Sequence, residues 1–312
     1  MFSFFRRGKN KARVPVWANF FTVKEYENFI SLVAAYFDNR QLPHTIEDGV
    51  VEVVTDRFGG NRLGLMNLAQ SCKQSSPATW PEMIAHQFDQ IEQIMMFNTQ
   101  FAQDSKEFSL VEEYIGVRLY HKDYLASLHE NVTVSTMVTE DIVAMLVYDL
   151  PHCVKTVSIE DIAGWNRSKE ELFRIGIDNI RQRYESPLRL QQIGDIACWF
   201  AEADHFYAPN IALDIRSLPE ISGPHGALVA IPNRHAIFLY PILDLHVVNA
   251  CNTLMPIISA MYNEGPGSIS DGLYWHHHNT FTRLPFELTE KSIRFTPPAA
   301  FTELLNTLQS RN

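Results

Sequence analysis

Apolar residues recur at helical spacing in three stretches of the chain, and each stretch predicts an amphipathic helix. Thr22 and Glu25 have the spacing of a capping box at the start of the first helix, as Ser168 and Glu171 have at the start of the third. The second and longest helix is predicted to begin near Trp80. The apolar faces of these helices consist of Tyr26, Phe29, Ile30, Val33 and Phe37, then Ile84, Phe88, Ile91 and Met95, and finally Phe173, Ile177, Ile180 and Tyr184.

Short apolar runs bounded by turn residues predict strands elsewhere in the chain. Pro151 and His152 separate two such runs at hairpin spacing, and residues 233–235 separate two more. The predicted strands cover residues 50–55, 115–121, 143–150, 153–158, 196–203, 226–232 and 236–242, and further helices are predicted at 63–72, around 206–216, at 243–262 with a kink near Pro256, and after Pro298.

Helices and strands are mixed without a strict alternation, and short turns join several of the strands. This arrangement predicts an α+β fold with mainly antiparallel or mixed sheets and flanking helices. The polar run 99–109 is the best candidate for a boundary between lobes. The predicted organisation is therefore a basic flexible tail (residues 1–14), a mostly helical lobe (15–104) and an α+β lobe (105–312), with one continuous domain as the alternative.

The composition is that of a globular protein, with 46% hydrophobic and 20% charged residues. The net charge of −10 disfavours general binding to nucleic acid, because an acidic surface repels phosphates. The first thirteen residues are the exception, since they carry five basic residues and no acid. Such a tail is either a solvated terminus or a contact site for anionic lipid or RNA.

A secretory signal is not expected, because polar residues follow the basic start where an apolar core of about 7–15 residues would be needed. A membrane-spanning helix is not expected either, because no apolar run reaches about 18 residues. The four cysteines, Cys72, Cys153, Cys198 and Cys251, are widely spaced and form no CxxC pair. Together these features predict reduced thiols and a cytoplasmic protein.

Three consecutive histidines in the stretch YWHHHNTF, residues 274–281, raise the question of a metal site. On a continuous strand, His276 and His278 share a face and can both reach one divalent ion. A zinc site also needs a third and a fourth ligand, and no metal-ligand pattern lies nearby. The alternative is an exposed hairpin tip, because both flanks are strand-like and Asn279 tolerates turn geometry.

A second cluster, formed by Glu202, Asp204 and His205, places two carboxylates beside an imidazole just before a predicted helix. The group suits acid–base chemistry or a share of a metal site. The alternative is a helix cap, since Asp204 suits the N-cap position and acids near a helix start favour the helix dipole. A metal-assisted enzyme requires this group and the histidines to converge in space.

Two further groups are candidate binding residues. Asn233, Arg234 and His235 lie between two apolar strands, where a rigid scaffold displays a loop, and Asp149 lies at the end of a strand. Plain turn residues are the alternative. Because the motifs GxxxxGKS/T, GxGxxG and GxSxG are all missing, no cofactor is predicted, with a divalent metal as the alternative.

Five stretches occur in an order that resembles an uncharacterised bacterial family typified by the protein YtpQ. They are GLMNLAQ (64–70), VRLYHKDYL (117–125), LVYDLP (146–151), EELFRIGIDNI (170–180) and ALVAIPNRHAIFL (227–239). In the last stretch, Asn233 and Arg234 match the Pro-Asn-Arg strand turn of that family. The resemblance implies a cytoplasmic bacterial protein of about this size, without an assigned activity, and leaves the N-terminal helix and tail unexplained.

The missing cofactor signatures favour a non-enzymatic binding or regulatory protein that acts on a protein partner. An acidic surface with many aromatic residues suits such a partner, basic toxins and enzymes among them. The alternative is a metal-assisted enzyme that uses the His and carboxylate groups.

Overall fold

The computed structural model describes residues 14–128, 133–264, 267–289 and 292–310. The basic tail predicted at residues 1–14 therefore falls, up to residue 13, outside the described residues. The chain forms two compact units, Met1–Gln103 and Asp104–Asn312. Each unit contains a hydrophobic cluster of its own.

From residue 14 onwards, the first unit combines three α-helices with a small antiparallel sheet. The capping box predicted for its first helix is present: the Glu25 N–H donates to Thr22 Oγ1 at 3.3 Å, and the Thr22 N–H donates to Glu25 Oε2 at 2.7 Å. The strand predicted at 50–55 is the central strand of the sheet. The elements are α1 (Val23–Asn39), β1 (His44–Glu47), β2 (Val50–Val53), β3 (Arg62–Gly64), α2 (Met66–Lys73) and α3 (Trp80–Asp104).

Aromatic rings fill the core of the first unit, because α1 and α3 present them at helical spacing. Phe37 of α1 contacts Phe88 of α3 with ring centroids 4.9 Å apart, and Phe29 lies edge-on to Trp80 at 6.4 Å. All four rings are buried. Each buried side chain of this size contributes about 1.5–3 kcal/mol, so the predicted apolar faces hold these helices together.

The second unit begins with a sheet built around one completely buried strand. Every residue of β6 is buried; β4 pairs with one edge of it, and β5 and β7 pair with the other. The capping box predicted at Ser168 is half formed, since Ser168 Oγ accepts from the Glu171 N–H without a reciprocal bond. The elements are α4 (Phe108–Val111), β4 (Ile115–His121), α5 (Asp123–Ser127), β5 (Ser135–Met137), β6 (Ile142–Leu150), β7 (Cys153–Thr156), α6 (Ile159–Ala163) and α7 (Lys169–Arg183).

A second sheet of six strands follows, in the order β13-β12-β10-β11-β9-β8. Helix α8 covers it, with Leu254 and Ile258 buried against the strands, and the helix continues through Pro256. The region predicted as a short helix near 206–216 is a 3₁₀ segment, Ala208–Ser217. The elements are β8 (Arg189–Ile193), β9 (Ile196–Glu202), β10 (Ala227–Asn233), β11 (Ala236–Pro241), α8 (Val247–Glu264), β12 (Leu273–His277), β13 (Thr280–Arg283), β14 (Phe286–Leu288), β15 (Ile293–Phe295) and α9 (Ala299–Gln309).

The predicted α+β class is confirmed. The strand pairings among the described residues are all antiparallel, and helices flank the sheets. Within the described ranges, no helix is both long and apolar enough to cross a membrane.

The four cysteines are free thiols, of which Cys72, Cys198 and Cys251 are buried and Cys153 is exposed. Burial raises the pKa of Cys72 to about 11 and the pKa values of Cys198 and Cys251 to about 12. These three side chains therefore behave as small apolar residues of the core.

Candidate functional site

The three histidines belong to a β-hairpin. His278 and Asn279 join β12 to β13, and their φ angles of 46° and 64° are the positive values that a two-residue type I′ turn requires. The prediction of an exposed tip is wrong for His276, which is 8% exposed, because β12 is an interior strand of the sheet. Burial lowers the pKa of His276, and the charge of Arg216 lowers it further.

The histidines and the carboxylate group border different cavities. His276 and His278 line a cavity of about 200 Å³, whereas Glu202 and Asp204 line a cleft of about 660 Å³. In the part of the chain that the structure describes, no three His, Cys, Asp or Glu side chains are placed to hold a metal ion. The structure does not bring together the two groups that a metal-assisted enzyme would need.

His205 and Asp204 contact their surroundings in ways that the sequence did not indicate. His205 Nε2 lies 2.9 Å from the carbonyl oxygen of Glu185, and Nδ1 accepts from the Tyr207 N–H at 3.2 Å, so the hydrogen bonds place the ring proton on Nε2. The prediction that Asp204 caps a helix is wrong, because the following 3₁₀ segment begins after Tyr207 and has no side-chain cap. Asp204 instead lines the 660 Å³ cleft with Glu202.

Asp149 is a buried anchor for three side chains. Its Oδ2 accepts from Arg183 Nη1 at 2.6 Å and from the Tyr184 hydroxyl at 2.8 Å, and its Oδ1 accepts from the Tyr207 hydroxyl at 2.5 Å. Burial, followed by the bond to Asp149, raises the pKa of Tyr184 to about 12 and raises the pKa of Tyr207 as well. Asp149 therefore positions these tyrosines, and its carboxylate has little capacity left for a ligand.

Asn233, Arg234 and His235 form the hairpin turn between β10 and β11, and neighbouring segments hold the turn on both sides. The Arg234 N–H donates to the Gly267 carbonyl at 3.0 Å, and Asn233 Oδ1 accepts from the His235 N–H at 2.9 Å. His235 Nδ1 lies 2.9 Å from the carbonyl oxygen of Ala203. The turn is thus a fixed support from which the Arg234 side chain is displayed.

The Arg234 side chain ends a row of stacked rings and guanidinium groups that we call the arginine–aromatic ladder: Tyr124, Tyr120, Arg118, Phe206 and Arg234. The Arg234 Cζ lies 4.1 Å from the ring centroid of Phe206, and the Arg118 Cζ lies 4.7 Å from the same centroid. The Arg118 Cζ also lies 4.9 Å from the ring centroid of Tyr120, which stacks on Tyr124 at 4.5 Å with an interplanar angle of 7°. Each of these distances is within the range of cation–π or stacking attraction.

Neither arginine of the ladder forms an ion pair with a carboxylate among the described residues. Other partly buried arginines of the second unit do, since Arg183 pairs with Asp149 and Arg283 pairs with Asp141. The Nε of Arg118 is buried without a hydrogen-bond partner, and the Nε of Arg234 donates only to His235 Nε2, at 3.3 Å. Two uncompensated cations thus share one ring on a chain whose net charge is −10.

A second buried carboxylate, Asp141, ties the two sheets of this unit together. Its Oδ2 accepts from Ser270 Oγ and from Arg283 Nη1, each at 2.8 Å, and its Oδ1 accepts from Thr139 Oγ1 at 2.6 Å and from the Tyr274 hydroxyl. Burial by itself would raise the pKa of Asp141, but the hydrogen bonds and the charge of Arg283 lower the pKa below its usual value.

Among the ladder residues, Arg234 is the one that the sequence predicts as a binding residue. A signal was present in VRLYHKDYL, because Arg118 and Tyr120 are two residues apart in a predicted strand and therefore lie on the same face. The contact of Arg118 with Phe206 joins distant parts of the chain, and no periodic pattern within one segment reports such a contact.

Compared with known proteins, the chain matches no family model, no curated protein and no solved structure. The resemblance to the YtpQ family is neither supported nor contradicted by these comparisons and stays a prediction.

Proposed function

We propose that the chain is a non-enzymatic binding protein whose protein partner docks an acidic side chain on the arginine–aromatic ladder. The observation that carries this proposal is that Arg118 and Arg234 stack on Phe206 without a carboxylate partner among the described residues. The proposal includes a cytoplasmic location, which the free thiols support.

The ladder has the properties of a binding hot spot. Arginine and tyrosine are enriched where protein interfaces carry most of their energy. Stacking on Phe206 holds the guanidinium groups in place, so a partner carboxylate would meet donors that have already lost much of their side-chain freedom. A hydrogen bond to a charged group contributes about 1.5–3 kcal/mol in such a setting.

The metal-assisted enzyme has less support than the binding protein. Glu202 and Asp204 share a cleft with Asn233 and His235, but His276 and His278 border another cavity. His235 Nε2 accepts from Arg234, and Nδ1 lies within hydrogen-bond distance of a backbone carbonyl, so both ring nitrogens are engaged.

Partner capture with matched variants tests the proposal. The wild-type chain, Arg234→Ala, Arg118→Ala and the control Arg294→Ala would be immobilised at equal density and exposed to extract of the source cells. Arg294 is a suitable control because its side chain is 75% exposed and lies on β15, apart from the ladder. Quantitative mass spectrometry would identify proteins that the wild type and the control retain and the ladder variants lose.

A protein found in this way would be purified and titrated against each variant. We expect Arg234→Ala to weaken binding about 10- to 100-fold, the effect of losing one charge-assisted hydrogen bond. Arg234→Lys is expected to fall between wild type and Arg234→Ala, since lysine keeps the charge and loses the planar fork. Retention of every captured protein by both ladder variants would rule the proposal out.

A further inference from the structure

A third cavity is lined in part by Tyr207, the residue that follows Phe206 in the chain. It has a volume of about 390 Å³, which is within the range of small-molecule sites. We call it the tyrosine cavity; its walls are the apolar side chains and rings of Ile177, Ile180, Pro187, Ile211, Tyr184 and Tyr207.

The walls of the tyrosine cavity are fixed in advance of any ligand. Tyr184 and Tyr207 both donate their hydroxyl protons to Asp149, and their ring centroids lie 4.8 Å apart. Asp149 is 4% exposed and is held in turn by Arg183. Because hydrogen bonds to Asp149 hold both rings in place, the cavity stays open without a ligand. Binding therefore carries no free-energy cost for forming the cavity.

The charges at the rim favour one kind of ligand. Arg181 is already neutralised by Asp214, with Nη2 and Oδ2 2.5 Å apart. Glu185 also lines the cavity, and its carboxylate forms no ion pair among the residues that the structure describes. The uncompensated charge among the residues that line the cavity is therefore negative, and Tyr184 and Tyr207 line the same cavity.

We propose that the tyrosine cavity binds a small organic cation, an ammonium group attached to an aromatic or branched apolar body. The apolar body would be buried against the isoleucines and rings. The ammonium group would contact the carboxylate of Glu185 and the electron-rich faces of the tyrosines. An organic anion would meet the uncompensated Glu185 instead and gain nothing from Arg181, which Asp214 already neutralises.

Three probes of similar size and different charge separate the effect of charge from that of shape. They are benzylamine, benzyl alcohol and benzoate, which are cationic, neutral and anionic at pH 7. Each would be titrated into the full chain and followed by isothermal calorimetry and ligand-observed NMR. We expect benzylamine to bind about 3- to 20-fold more tightly than benzyl alcohol, from one exposed ion pair and one cation–π contact. Benzoate is expected to bind most weakly.

Two variants test whether the probes bind in the tyrosine cavity. Glu185→Gln should weaken the binding of benzylamine about two- to five-fold and leave the binding of benzyl alcohol unchanged. Ile211→Trp should block all three probes by filling the cavity, with the unfolding midpoint measured to show that the variant is folded. Glu170→Gln is the matched control, since Glu170 is an exposed glutamate on α7, the helix that ends at Arg183, and does not line the cavity. The proposal is overturned if benzylamine shows no saturable binding, if the three probes bind alike, or if Glu185→Gln binds benzylamine as wild type does.

Discussion

Asp141 precedes the buried strand β6 and Asp149 lies near its end, and each accepts hydrogen bonds from an arginine and from at least two hydroxyl groups. Both carboxylates are 4% exposed. A buried carboxylate is tolerated only where its partners replace the lost water, so each cluster fixes the elements that supply the partners. The first cluster fixes the β12–β13 hairpin, and the second fixes the end of α7 and the segment behind the tyrosine cavity.

Removing the charge of Asp149 should destabilise the second unit. In Asp149→Asn the partners Arg183 and Tyr184 lose their charged acceptor, and one amide hydrogen faces groups that also donate. We expect the free energy of unfolding in urea to fall by about 2–4 kcal/mol, somewhat less than for a fully buried pair, because the Arg183 side chain is 35% exposed. Asp178→Asn serves as the control, since its pair with Arg174 is on the surface and contributes no more than about 1 kcal/mol. Equal losses in the two variants would contradict the anchoring role.

Asp141 should make the stability of the folded chain depend on pH in the acidic range. Its pKa is lower in the folded chain than in the unfolded chain, so its contribution is complete above the unfolded pKa of about 3.9 and is lost as the pH falls through the lowered folded pKa. Urea unfolding of wild type between pH 7 and pH 2.5 should show this decline. Asp141→Asn should be less stable at pH 7 and should lose less stability below about pH 4. If the free energy of unfolding fell in parallel with pH for the two proteins, Asp141 would not contribute to the loss of stability in acid.

Local patterns predicted the longer helices, because a helix is specified by neighbours along the chain, but did not predict the short helices α4, α5 and α6. Thr22 and Glu25 form the predicted capping box, and Phe29, Val33 and Phe37 of the predicted apolar face of α1 are buried, with Tyr26 and Ile30 partly buried. The short strands β1 and β3 escaped prediction, since their few residues mix polar and apolar side chains, whereas the equally short β2 is rich in valine.

The candidate sites were less predictable, because they depend on contacts between distant segments. The partners Tyr274 and Asp141 are separated by 133 positions, and Tyr207 and Asp149 by 58. Asp149 was singled out from its place at a strand end, but its role as an anchor depends on tyrosines that only the folded chain brings to it. Arg234 was singled out from its turn, and Phe206 was not, although the ladder needs both.

Phe206 should be the residue on which both arginines of the ladder depend. Phe206→Ala removes the ring under two guanidinium groups, and we expect it to lower the free energy of unfolding by about 1–3 kcal/mol through lost cation–π contacts and packing. Phe206→Ala should also weaken binding of the captured partner at least as much as Arg234→Ala does. Phe206→Tyr keeps the ring face and should behave like wild type in both measurements. A ladder that still binds its partner without the Phe206 ring would show that stacking does not preorganise the arginines.

Burial of His276 should destabilise the folded chain in mild acid. Its pKa is lowered in the folded state, chiefly by burial, so protonation favours the unfolded chain. The contribution of the neutral ring is complete above the unfolded pKa of about 6.5 and declines as the pH falls from there towards the lower folded pKa. NMR titration should show the His276 ring protonating below pH 6.5, and His276→Gln should remove part of the loss of stability between pH 6.5 and pH 5. His278→Asn is the control, since that turn residue is exposed and asparagine tolerates its positive φ. If His276→Gln lost stability with acid as steeply as wild type and the control, the buried histidine would not be the source of the pH dependence.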